Sequence, residues 1–279
     1  MEAAIVDVRS LGDFELVIDG KPVERWRAGK ARDLLQFLLL RASKVVPTET
    51  LCDALWPDPP QSANARSSLK VAVHALRRIL AENMRPAGPA GRPALALLTC
   101  PGGYLLEAND LRIDFERFDQ LIDRGHQAEM NGDESIPGEY YREAVEIYAG
   151  DFLSGLDAEW ASVQREWLRS RYLYALQKLS EQDLAIGDHL AVLRWCRLML
   201  DAEPFHEGAY RALMVAHARL GQLGQVRRWY RLCASRLHGE LQTAPDPVTE
   251  RTYAWAIQGD ALSGDPARAH AQVVPTQRR

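Results

Sequence analysis

Within residues 62–85 the basic side chains Arg66, Lys70, Arg77, Arg78 and Arg85 face a single acid, Glu82. Guanidinium and ammonium groups at that density donate to phosphate oxygens, and at helical spacing they also reach guanine edges. At about 100° per residue, Leu69, Val73, Leu76 and Leu80 gather within roughly 60° and make a buried stripe. Ser67, Val71, His74 and Arg78 then lie on the opposite face, with Lys70 and Arg77 on one flank and Asn64 on the other. A major groove admits one such helix, where Arg and Lys suit guanine, Asn suits adenine and Val71 suits a thymine methyl. Arg66 and Arg85, near the two ends, are placed for phosphates, which position without specifying. Two further groups are candidates with equal alternatives. Thr48 and Thr50 open the preceding helix and serve as phosphate donors or as helix caps. Thr99 and Tyr104 flank a turn suited to a minor groove, or Tyr104 belongs to a core.

Other chemistry has little support. Gly29-Lys30 lacks the earlier glycine of a phosphate-cradling loop, and HExxH, GxSxG and Cys/His metal spacings are missing from the sequence. Asp114 with Glu116, and Asp133 with Glu134, read as solvated surface acids. Cys52, Cys100, Cys196 and Cys233 are dozens of residues apart, which is neither a disulfide framework nor a zinc pattern. No catalytic residue, metal or cofactor is expected.

The basic helix needs elements to hold it. Val6, Val8, Leu11, Phe14, Leu16 and Ile18 alternate as short strands do, with a hairpin at Asp19-Gly20 before Val23. From Ala28 the period becomes helical through Leu39. A second helix starts beside Pro47 and stops at Trp56-Pro57, and Ser62 or Asn64 caps a third that runs to about Met84. Leu95 to Thr99, a Pro101-Gly102-Gly103 turn and Tyr104 to Leu106 form a returning hairpin. Strands, three helices and a hairpin, in that order, make a winged helix-turn-helix.

The remainder reads as helices over 115–130, 139–149, 158–186, 189–200, 206–220, 222–237 and 248–257. Shifting the chain by 34 residues aligns Gly187 with Gly221, Val192 with Val226, Arg194 with Arg228, Trp195 with Trp229, Arg197 with Arg231 and Leu198 with Leu232. That period belongs to tetratricopeptide helix pairs, in which the glycine turns the chain and the Trp and Leu fill the groove between pairs. The fold class is therefore an α+β N-terminal winged helix-turn-helix domain followed by an all-α tetratricopeptide-like helical repeat domain. Its expected boundaries are 1–109 and 110–258, with a disordered tail over 259–279.

With 279 residues the chain is long enough for two domains. The net charge of -4 divides unevenly: residues 1–109 hold 14 Lys and Arg against 12 Asp and Glu, and residues 110–279 hold 20 against 26. A mildly acidic protein thus carries a locally basic helix. The longest uncharged stretch, 93–106, is 14 residues interrupted by Pro101 and two glycines, too short for a membrane span. With no export signal at the amino terminus, a cytoplasmic, nucleoid-associated protein is expected.

The runs Lys30-Ala31-Arg32-Asp33-Leu34-Leu35, Thr48-Glu49-Thr50-Leu51, Ala54-Leu55-Trp56, Ser62-Ala63-Asn64-Ala65-Arg66, Val73-His74-Ala75-Leu76-Arg77-Arg78 and Pro101-Gly102-Gly103-Tyr104-Leu105 together resemble the Streptomyces antibiotic regulatory proteins. These join an OmpR-type winged helix to a bacterial transcriptional activation domain. Tyr148-Ala149-Gly150-Asp151-Phe152-Leu153 and the 34-residue repeat extend the likeness, which covers roughly residues 5 to 258. The resemblance implies a transcriptional activator of antibiotic or other secondary-metabolite clusters. It implies binding to direct repeats of double-stranded promoter DNA as a dimer, and recruitment of RNA polymerase holoenzyme including its sigma factor. It also implies the small form, without a nucleotide-binding module or a receiver domain. Where the family often has Gln-Thr this chain has Lys70-Val71, which implies a different base preference.

A second reading is an effector- or peptide-sensing repressor whose helical array offers Trp195, Trp229, Tyr210 and Arg228 on a concave surface. A third, a scaffold without DNA binding, leaves the outer face of the third helix without a purpose.

Overall fold

The computed structural model describes residues 5–26, 29–58, 64–84, 94–132 and 136–258. Two compact units emerge: residues 1–120 with 146–168, and 121–145 with 169–279. The division differs from one at Asn109, because residues 146–168 pack with the amino-terminal unit. The expected tail, Arg85, Ser62, Asp133 and Glu134 lie outside the described residues.

In the first unit, β1 (Val6–Arg9), β2 (Glu15–Ile18) and β3 (Lys21–Pro22) form the expected hairpin run. Asp19 and Gly20 both take positive φ (49° and 74°), the backbone of a two-residue turn matched to strand twist. A strand missed by the sequence reading, β7 (Leu111–Ile113), adds in parallel to β1 and completes the order β3-β2-β1-β7. Helices α1 (Gly29–Leu39), α2 (Thr48–Leu55) and α3 (Ala65–Asn83) pack together, and their apolar faces are buried through Leu34, Leu35, Leu38, Leu51, Leu55, Leu69, Val73, Leu76 and Leu80. Behind them, β5 (Leu95–Cys100) and β6 (Gly103–Ala108) make the wing. A second missed strand, β4 (Val45–Pro47), joins it in the order β4-β6-β5. Gly103 is required there: a Cβ would collide with the Val46 carbonyl oxygen across the pair.

Residues 146–168 are stitched to this unit by backbone and charged bonds. The Leu153 amide donates to the Ser10 carbonyl at 2.8 Å and the Gly12 amide to the Asp151 carbonyl at 3.1 Å. The Ser154 hydroxyl donates to the Asp13 carboxylate at 2.9 Å, and within the segment Arg165 braces the loop by donating to the carbonyls of Phe152, Leu153 and Leu156 at 2.9–3.1 Å. Phe152 stands edge-on to Phe115, as Trp160 does to Phe37. Asp114 is not the solvated acid expected from sequence. Its carboxylate accepts from the Ser10 amide and hydroxyl and the Leu11 amide at 2.6–2.8 Å, and so ties the start of α4 (Asp114–Met130) to the strand end.

The second unit is helical, built from parts of α4, α5 (Ile136–Ile147) and α6 (Glu159–Ile186), then α7 (His189–Ala202), α8 (Glu207–Arg219), α9 (Leu223–Arg236) and α10 (Pro247–Gln258). A π-helical turn, Leu237–Leu241, follows α9. The repeat is present in the backbone. Gly187 and Gly221 both turn the chain at positive φ (83° and 71°), and the residues after them, Asp188 and Gln222, donate their amides to Asp183 and His217 at 2.8 Å each. Val192 and Val226 are fully buried. The side chains diverge: Trp195 Nε1 donates to the buried Asp183 carboxylate at 2.6 Å, whereas Trp229 stacks on His217. Leu232 is 38% exposed, so it does not fill the groove as expected.

Candidate nucleic-acid interface

The outer face of α3 is made by subtraction. Leu69, Ala72, Val73, Leu76, Ile79 and Leu80 are consumed by the core, which leaves Ser67, Lys70, Val71, His74 and Arg78 turned to solvent. Val71, 67% exposed, presents its isopropyl group at the middle of this face. Among the described residues, Ser67, Lys70 and His74 have no polar partner. Asn64 occupies the N-cap position, but its side chain makes no capping bond. Its amide is therefore available to another partner.

Two cations on this helix hold exchangeable partners. Arg66 pairs with Glu49 of α2 at 2.8 Å and Arg78 with Glu82 at 3.3 Å, all of these side chains at least 44% exposed. Exposed pairs of this kind contribute about 0–1 kcal/mol, so a phosphate or base displaces the carboxylate at small cost.

Three other expected contacts do structural duty. Arg77 donates through Nε to the Leu97 carbonyl at 3.0 Å and through Nη2 to the Thr99 hydroxyl at 2.8 Å, which anchors α3 to the wing. The Thr48 amide and hydroxyl both donate to the Gly102 carbonyl, at 3.0 and 3.2 Å, so the wing turn rather than a phosphate takes them. Gly102, at φ 80°, sits in the expected Pro101-Gly102-Gly103 turn, and only the use of its carbonyl as the acceptor for Thr48 left no signal in the sequence. Thr50 is exposed on α2. Tyr104 is half-buried on β6 opposite Val46 and Thr99, between a core and a surface role.

On the outer side of the wing, Val45, Leu105 and Leu98 lie in one row across the three strands, with Val45 51% and Leu98 39% exposed. Among the described residues no group of His, Cys, Asp and Glu is arranged to hold a metal ion. No described helix is long and apolar enough to cross a membrane.

The residues named for effector sensing are mostly interior. Tyr210 is fully buried, donating to the Pro204 carbonyl at 3.0 Å and accepting from Arg236 at 2.9 Å, and Trp195 is buried on Asp183. Trp229 packs half-buried against Tyr210 and Cys233. Of the four only Arg228 faces solvent, so no aromatic ligand surface forms from them.

Comparison with known proteins agrees with the fold. The family described as Transcriptional regulatory protein, C terminal, matches residues 26–89, and the Bacterial transcriptional activator domain matches residues 113–255. The chain is 29% identical to Regulatory protein DnrI of Streptomyces peucetius over 242 residues, 86% of each protein. It is 25% identical to Regulatory protein AfsR of Streptomyces coelicolor over 92% of this chain but 26% of that protein. A solved structure of Mycobacterium tuberculosis EmbR in complex with low affinity phosphopeptide shares the fold, with a TM-score of 0.75 at 24% identity over 96% of this chain and 68% of that one. With a winged helix ahead of a matched activator domain, the chain belongs to the Streptomyces antibiotic regulatory protein family of transcriptional regulators.

Proposed function

We propose that this regulator binds promoter DNA through the outer face of α3 and activates transcription from the bound site. The observation that carries the reading is the row Ser67, Lys70, Val71, His74 and Arg78, which is exposed, lacks strong partners and lies opposite the buried stripe. His74, Arg78, Lys70 and Asn64 reach base edges, while Arg66 and Thr50 meet phosphates and the wing turn near Thr99 and Tyr104 lies along the neighbouring groove. Arg77 acts indirectly, by holding the helix to the wing.

The protein acts in the cytoplasm on the nucleoid, without catalysis, as a pair on direct repeats. Its helical region engages RNA polymerase holoenzyme through sigma and neighbouring subunits, at promoters of secondary-metabolite genes.

The test is nuclease footprinting on the region upstream of its own coding sequence, followed by transcription from that template with purified holoenzyme. Protection of two repeats on one face of the duplex, with protein-dependent open complexes, is expected. Protection without stimulated transcription opposes activation, and no sequence-dependent protection opposes the whole reading.

A further inference from the structure

Helix α9 carries Arg227, Arg228, Arg231 and Arg236 and no acid, in a half of the chain that is otherwise acidic. Arg236 is occupied by the Pro204 carbonyl and the Tyr210 hydroxyl. Arg227, Arg228 and Arg231 are exposed and have no partner among the described residues. At about 100° per residue, Arg227, Arg231 and Arg228 span an arc of roughly 100°, while the buried Val226 and Cys233 lie on the other side. Leu223 borders one edge of the arc and Leu232 the other, 36% and 38% exposed.

The neighbouring repeat shows what an idle version of this face looks like. On α7 the equivalent Arg194 lies over the Trp195 ring at 4.0 Å and Arg197 pairs with Asp201 on its own helix at 3.8 Å. On α9 the residue equivalent to Asp201 is Ser235, so the intrahelical acid is gone, and Leu193 has become Arg227. The second repeat therefore has one more cation and one fewer anion on the same face.

We propose that the α9 face, Arg227, Arg228 and Arg231 between Leu223 and Leu232, docks an acidic amphipathic helix of a protein partner. Charge complementarity selects the acid, and the two leucine borders select a protein over nucleic acid, since a phosphate backbone offers nothing to an exposed isobutyl group. The proposal deepens the activation reading and rests on it for biological meaning, while the docking itself is testable alone.

The experiment uses the full chain, as wild type and with Arg227→Ala, Arg228→Ala and Arg231→Ala combined; circular dichroism checks that the helices persist. The probe is a dye-labelled synthetic helix of about 20 residues with Glu flanking a Leu stripe, compared with a Lys-for-Glu version, a Ser-for-Leu version and a duplex of unrelated sequence. Anisotropy titration is expected to show binding of the acidic helix alone, weakened roughly tenfold or more in the triple variant and weakened again for the Ser-for-Leu peptide. Equal affinity of wild type and triple variant for the peptide, or no measurable binding by either, overturns the proposal. So does a duplex that discriminates the two proteins while the peptide does not, which makes the face a nucleic-acid contact. Sedimentation of the protein alone tests a second copy: self-association lost in the triple variant, without peptide binding, also overturns it. In transcription with holoenzyme the triple variant is expected to occupy the operator as wild type does and to stimulate less. If wild type does not stimulate at all, the activation reading fails, while the peptide titration still judges the docking.

Discussion

The Arg77 guanidinium on α3 donates to the Thr99 hydroxyl on the wing at 2.8 Å, and its Nε reaches the Leu97 carbonyl two residues earlier on the same strand at 3.0 Å. A helix and a hairpin that are to contact adjacent grooves need a fixed angle between them, and this fork supplies two donors in one plane. Arg77→Ala is expected to lose about 1–2 kcal/mol of stability by denaturant unfolding. Its affinity should fall by a similar factor for every operator variant. A loss confined to one base pair shows instead that Arg77 reads a base.

Thiol chemistry gives an independent view of the wing. Burial pushes Cys196 and Cys233 up to about 12, with the Ser180 hydroxyl opposing it at Cys196, and burial also raises Cys52. Cys100 is half-buried at the end of β5, beside the Gly102 turn. Since the thiolate is the reactive form, Ellman's reagent should modify Cys100 well ahead of the other three. Saturating operator DNA should slow that reaction several-fold. An unchanged rate means that the turn is not covered in the complex.

His206 makes the helical unit sensitive to acid. Its Nδ1 accepts from the Ala209 amide at 3.1 Å as the N-cap of α8, which requires an unprotonated nitrogen. Burial, reinforced by Arg211, holds the imidazole below its ordinary value near 6.5, against the opposing effects of its own backbone bond and Glu203. The unfolded chain then binds the proton more readily, so stability is complete above about pH 6.5 and is lost as pH falls toward the folded value. His206→Asn keeps a capping acceptor that does not titrate there, and a cap of this type contributes ~1 kcal/mol. Urea unfolding of the two proteins should diverge below about pH 6.5, the wild type losing more. Parallel curves remove His206 from the account.

Periodic features could be read from the sequence because burial repeats with the helix. Leu69, Val73, Leu76 and Leu80 are all buried, and Gly187 and Gly221 are where the two repeats turn. Contacts made by the backbone leave no such trace. Val45–Pro47 is three residues long and polar on both flanks, and β7 pairs with β1 across a hundred residues. The join of residues 151–153 to Ser10 and Gly12 runs through amides and carbonyls common to any sequence. The candidate face was legible as a face, while the duties of Arg77 and Thr48 were not. A helical wheel gives direction only, and the carbonyls of Leu97 and Gly102 come near through the fold.

The central claim is that the outer face of α3 reads DNA. The most direct measurement is anisotropy titration of Arg78→Ala and His74→Ala on the protected operator and on single-base variants of it, at moderate and raised salt. Each substitution is expected to weaken binding by ~1–3 kcal/mol, concentrated at one base pair, and Arg66→Ala, at a phosphate, to lower the salt slope by about 0.9. Wild-type affinity of both Arg78→Ala and His74→Ala for the preferred operator contradicts the account.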